Sequence, residues 1–213
     1  MTVQHRTIAK RIDSSAQPRV RELIAVARDF GARGWTPATS GNYSVRLPDG
    51  RLLVSRSGVD KRVLAPADLM VMDRQGLPSG ADRASAEAAL HAQIYAARPQ
   101  VNAVLHVHST SATVASRRVG AGGSVILKDF ELLKALEGIE THAAKVELPV
   151  VANDQDMSRL AASAAPFLAA SGACPGYLIA GHGLYAWGRE VADAARHMEA
   201  LDFMLNCYLM EST

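Results

Sequence analysis

Residues 101–108 constrain the fold more than any other stretch of this 213-residue chain. The run is short, mostly apolar and rich in valine, as a buried strand is, and it ends on His106 and His108. Successive strand residues point to opposite faces, so two histidines one residue apart share a face. A third histidine, His182, lies far downstream between Gly181 and Gly183. Three neutral imidazoles gathered at one point would make a site for a borderline-soft divalent ion such as Zn2+, with one coordination position open to substrate. The competing reading is three unrelated histidines at strand ends, because His-x-His alone is a weak motif.

The chain is long enough for one sizeable core. Its 48% hydrophobic and 21% charged residues are those of an ordinary soluble domain. A net charge of only +2 gives no reason to expect a nucleic-acid or membrane partner. Two cysteines, Cys174 and Cys207, provide no disulfide framework and suit a reducing compartment. Residues 1–16 carry Lys10 and Arg11 without an apolar stretch, so no secretory signal is expected. Nor does any segment reach the ~18 apolar residues of a membrane helix. The expectation is one cytoplasmic domain over residues 1–213, loosely ordered at 1–16.

Pro18 opens an expected helix with Val20, Leu23, Ile24 and Ala27 on one face and Gly31 and Gly34 at its end. Residues 43–47 and 51–55 flank Pro48, Asp49 and Gly50 as a hairpin, and 69–72 is a further strand. A helix is expected over 86–97, the strand 101–108 follows, and a helical stretch runs to about Arg118 before a glycine-rich turn at 120–123. Asp129 reads as the cap of a short helix through Glu137 that Gly138 stops. Residues 146–151 read as a strand and 154–171 as a helix that Pro166 should kink or split. Two strands, 177–180 and 184–187, surround the Gly-His-Gly turn, and a last helix begins near Arg189 with apolar residues on two faces. The sum is a single-domain α/β/α sandwich with a mixed, mainly antiparallel central sheet.

Other residues surround the histidines in the argument. Ser40, Gly41 and Asn42 precede a strand, and Ser57 and Gly58 repeat the theme, with Lys61 or Arg62 near to supply charge. Glycines let backbone amides approach an anion closely, and the neighbouring side chains donate to phosphate oxygens. Ser85 precedes a helix, where it reads either as an N-cap or as part of a phosphate site. Two carboxylates compete for proton transfer: Glu87, four residues before His91, and Glu131, at the start of its own short helix. His91, His5, His142 and His197 read as structural or surface residues, and Trp35 and Trp187 as packing.

Taken together, Ser-Gly-Asn at 40–42, Ser-Gly at 57–58, Ser-Ala-Glu at 85–87, His-Val-His at 106–108 and Gly-His-Gly at 181–183 resemble the class II aldolase and adducin head family. The resemblance implies that His106, His108 and His182 bind one Zn2+ per subunit, that the serine and glycine loops hold a sugar phosphate, and that subunits form homotetramers. Within the family the chain is most similar to the branch that dehydrates methylthioribulose 1-phosphate in methionine salvage, through residues 57–61, 130–134 and 183–188. In that branch the glutamate matching Glu131 is the acid/base; in the aldolases the one matching Glu87 works at the metal. Both are kept here. Ala84 and Ala86 depart from the aldolases, which carry proline and a second phosphate-binding serine there. The resemblance also leaves open an aldolase or 4-epimerase working through the same metal-stabilised enediolate, and a non-catalytic adducin-like interaction module.

Overall fold

A computed structural model describes residues 16–78, 85, 87–170 and 174–211. The expected loose segment at 1–16, with His5, lies outside them except for Ala16. Eight strands form one sheet in the order β3-β2-β1-β4-β8-β7-β6-β5. They are β1 (Asn42–Arg46), β2 (Leu52–Ser55), β3 (Leu69–Met72), β4 (Ala103–Val107), β5 (Ser124–Lys128), β6 (Lys145–Val151), β7 (Gly176–Ile179) and β8 (Gly183–Gly188). Neighbours run antiparallel except β6 and β7, so the sheet is mixed and mainly antiparallel, as expected.

Along most of the strands alternate residues enter two separate cores. Tyr43, Val45, Leu105, Val107, Leu184 and Ala186 face one core, beneath α1 (Gln17–Ala32), α3 (Thr110–Val119) and α5 (Val191–Glu211). Val104, Tyr177, Tyr185 and Trp187 face the other, beneath α2 (Ala88–Ala97) and α4 (Met157–Ala169). Burying one such Val or Leu side chain is worth roughly 1.5–3 kcal/mol, so the sheet is fixed from both sides. The architecture is the α/β/α sandwich that alternation implied.

Several local expectations change. Gly31 sits inside α1, which Arg33 caps. The strand β5 was not expected at all, although its burial alternates along the run. Asp129 caps nothing: its backbone is left-handed, at φ 62°, and a 3-10 turn over Glu131–Ala135 replaces the short helix. The helix α4 runs through Pro166 without splitting, because proline there is exposed and the carbonyl it cannot bond, on Ala162, is also on the solvent side. On α5, Met204 belongs to the core while Phe203 is 56% exposed, so the second apolar face is thinner than its composition implied. Among the described residues no helix is long and apolar enough to cross a membrane. Cys174 and Cys207 are unpaired.

Strand direction decides what each end of the sheet carries. The sequence enters β4 at Ala103 and leaves it at Val107; β8 begins beside that exit, pairing Leu184 with Val107. From there β7 and β6 end at the same edge, and β5, antiparallel to β6, ends at the opposite one.

Candidate metal centre

His106 is the fourth residue of β4, paired with Asn42 on one side and Tyr185 on the other. His108 lies just past the strand end, where its backbone N–H donates to the Trp35 carbonyl at 2.8 Å. His182 sits in the tight turn between β7 and β8, closed by its N–H to the Ile179 carbonyl at 3.0 Å. The first turns of α3 hold that turn in place. Thr113 Oγ1 donates to the His182 carbonyl, and Ser116 Oγ accepts from the Gly181 N–H. Gly183 is required where β8 begins, since a Cβ there would stand 2.1 Å from the Val107 carbonyl oxygen.

The three Nε2 atoms converge. They are separated by 3.0 Å (His106–His108), 3.1 Å (His108–His182) and 3.4 Å (His106–His182). A tetrahedral cation at the Zn–N distance sets its ligand nitrogens about 3.3–3.4 Å apart, so this trio fits one ion. His106 Nδ1–H donates to the Leu184 carbonyl at 3.0 Å, which leaves the Nε2 lone pair facing the centre. Its ring is fully buried and stacks on Tyr185 at 4.0 Å between centroids, and Tyr185 stacks in turn on Tyr177 at 4.9 Å.

Glu87 completes the group. It ends the approach to α2, and its Oε1 lies 3.0 Å from His182 Nε2 and 3.7 Å from His106 Nε2. Asn42 Nδ2 donates to the other carboxylate oxygen, Oε2. Donor atoms of Glu87, His106, His108 and His182 all lie within 4.8 Å of one another. Burial would raise the Glu87 carboxyl, but the hydrogen bond from His182 and the charge that the imidazoles can carry hold it down at about 2. Burial, aided by the neighbouring imidazoles, pushes His106 well below its ordinary range; burial, His182 and Lys61 bring His108 to about 4. Neutral imidazoles beside a carboxylate are what a divalent cation takes as ligands.

A cleft of about 420 Å³ opens beside His108 and His182, walled by Pro37, Thr113, Asn153, Gln155 and Gly181. Asn153 and Gln155 carried no signal in the sequence, because only the fold brings the end of β6 to this edge.

The remaining expected residues divide. Asn42 is committed to Glu87. Gly41 lies under the centre at φ 80°, where a Cβ would meet the His106 carbonyl oxygen at 2.8 Å. Ser40 Oγ is buried without a hydrogen-bond partner. Ser57 and Gly58 are exposed in their loop, tied to Thr39 through Lys61, whose Nζ donates to the carbonyls of Thr39 and Val59. Ser85 stands before α2, and its carbonyl accepts from the Ala88 N–H; the cap position is Glu87, so Ser85 is not the N-cap. Glu131 is not among the four. It follows β5, is 73% exposed, and pairs with Lys134 and more loosely with His142.

His91 and His197 are structural, as expected. His91 is buried and hydrogen-bonded to Ser44 Oγ at 2.7 Å, and His197 donates to the Trp187 carbonyl at 2.7 Å. Trp35 packs against Phe30, and Trp187 lies in the core beneath α2 and α4.

The fold recurs in known proteins. Residues 21–209 match the model of the class II aldolase and adducin N-terminal domain. A methylthioribulose-1-phosphate dehydratase from Methylococcus capsulatus is 47% identical over 194 residues, covering 91% of this chain and 94% of that protein. Its counterpart of the same name from Sorangium cellulosum is 49% identical over 192 residues, covering 89% and 91%. The crystal structure of the L-fuculose-1-phosphate aldolase from Thermus thermophilus superposes with a TM-score of 0.71 at 27% identity, over 90% of this chain and 93% of that one. With a three-histidine, one-glutamate divalent-metal site at the exit of β4 and a family match along most of its length, the chain belongs to the class II aldolase and adducin N-terminal domain family.

Proposed function

We infer that this chain is a hydro-lyase that dehydrates methylthioribulose 1-phosphate, with Zn2+ as its metal. The carrying observation is the convergence of His106, His108, His182 and Glu87 on one point at the cleft, in a chain whose relatives bear that activity in their names.

The substrate is a 2-ketose 1-phosphate with an acidic proton on C3 and a hydroxyl on C4. His106, His108 and His182 would hold the cation, which would supply Lewis-acid polarisation to the substrate's carbonyl and so acidify the C3 proton. A carboxylate takes that proton. The electron pair then moves between C3 and C4 as the C4–O bond breaks, and the same carboxyl returns the proton to the departing hydroxyl, which leaves as water. The enol that remains ketonises to the 2,3-diketone.

Glu131 is the proposed acid/base, and its place in the fold sets a condition. It lies outside its own chain's group of four donors and is exposed. The proposed homotetramer meets that condition: Glu131 of the partner subunit reaches the centre of this one. Glu87 already lies against two of the imidazoles, where it holds its charge at the metal. Ser40, Gly41, Ser57, Gly58 and Ser85, with Asn42 at their rim, receive the phosphate.

Incubation of the purified, metal-loaded protein with methylthioribulose 1-phosphate tests the reading. Diketone absorbance should grow and should stop on addition of a chelator. Cleavage of fuculose 1-phosphate with no reaction on methylthioribulose 1-phosphate would replace dehydration with aldol chemistry.

A further inference from the structure

The dehydration chemistry uses no cation from the protein, yet one is buried close to the centre. Lys61 is fully buried in the turn after β2. Its Nζ donates to the Thr39 carbonyl at 3.1 Å and to the Val59 carbonyl at 2.8 Å. Among the described residues no carboxylate forms an ion pair with it. Asp60 is occupied by Arg62, Asp68 by the Ala65 N–H, and Glu87 by Asn42 and His182. Two neutral carbonyls thus hold an ammonium whose charge no contact cancels, with a third N–H to give.

The segment it grips is strained. Ala38 has φ 50° and ψ 40°, and Thr39, a β-branched residue, has φ 65°. Side chains rarely adopt this left-handed region, and they stay there only when their surroundings insist. The next residue along, Ser40, carries the buried hydroxyl that has no protein partner. On the other grip, Val59 directly follows Ser57 and Gly58. One buried ammonium therefore fastens both the loop that carries Ser40 and the loop that carries Ser57, and it leaves its charge beneath them.

We propose that Lys61 is the positioning residue of an anion cradle: its ammonium draws loops 39–42 and 57–59 into one concave site for a phosphate group. This rests on the reading that these loops receive the substrate's phosphate. Lys61 touches no reacting atom, so its removal acts on binding rather than on the chemical step.

The test compares metal-loaded wild type, K61M and S57A. The KM for methylthioribulose 1-phosphate, the inhibition constant for inorganic phosphate, kcat and bound metal are measured for each. K61M should raise KM and the phosphate inhibition constant by about tenfold or more, with a far smaller change in kcat and with metal retained. If K61M does not fold, K61M/T39G serves instead, because glycine adopts the φ of residue 39 without strain. Weakened phosphate binding in S57A but not in K61M overturns the role of Lys61 and leaves the cradle standing. Unchanged phosphate binding in both overturns the cradle itself. Loss of metal, or a fall in kcat at constant KM, moves Lys61 to the metal centre and also overturns the proposal.

Discussion

Asn42 donates its side-chain amide to Glu87 Oε2, which turns Oε1 toward His182, 3.0 Å away. The contact joins the first residue of β1 to the residue before α2, and it fixes the carboxylate before any ion arrives. Partners of this kind set ligand orientation. Asn42→Ala should lower metal affinity by about 10–100-fold while the fold survives, as read by competition with a chromogenic chelator.

Removing a ligand is harsher than removing its support. His106→Ala should lose bound metal and activity together, since it deletes one of three donors and the ring that Tyr185 stacks on. Stoichiometric metal in the purified variant would reject His106 as a ligand.

Glu131→Gln separates chemistry from metal binding. Turnover should fall by roughly 10²–10⁴-fold with metal and melting temperature unchanged. Mixing inactive Glu131→Gln subunits with inactive His106→Ala subunits should restore activity, because some centres then combine intact histidines with an intact glutamate. No recovery on mixing would reject the partner-subunit arrangement, and near-normal turnover of Glu131→Gln would move the acid/base role to Glu87.

Gly183→Ala tests the closest approach in the centre. Its Cβ would meet the Val107 carbonyl oxygen at 2.1 Å and His106 Cε1 at 3.0 Å, so β8 must shift away from β4. A destabilisation of about 1–3 kcal/mol, with reduced metal binding, is expected in thermal melts with and without chelator.

The fold also carries an acid sensitivity that lies apart from the metal. Burial brings His91 down to about 4, and burial also lowers His197. A depressed folded-state value means that the unfolded chain binds the proton first. Stability from His91 is therefore complete above its ordinary value of 6.5 and is lost as pH falls toward 4. The loss is on the order of 3 kcal/mol. Melting of metal-free protein should steepen its pH dependence over that window, where His106 and His108 add to it, and His91→Gln should remove the His91 share alone.

Much of the centre was legible in the chain because it obeys short-range rules. His106 and His108 share a face through the strand period, and glycines on both sides of His182 announce a tight turn. Glu87 fell in the right place through its position at a helix start. What escaped depended on pairing far along the chain. That Glu131 stands outside the four converging donors follows from the course of the chain after β5, which no local pattern records. The hydrogen bond from Asn42 to Glu87 escaped because its two ends are 45 residues apart. The helix cap assigned to Asp129 failed because a left-handed residue gave a 3-10 turn in place of an α-helix. Residues 124–128 carried no strand expectation, although Val125 and Leu127 alternate with less buried neighbours.

His108 and His182 are 74 residues apart, on the two strand ends that hydrogen-bond as β4 and β8. A cation gripped by both acts as a removable clasp across that span: it favours the native chain over the unfolded one in proportion to its occupancy. Metal supply would then govern how long each molecule survives as well as how fast it turns over.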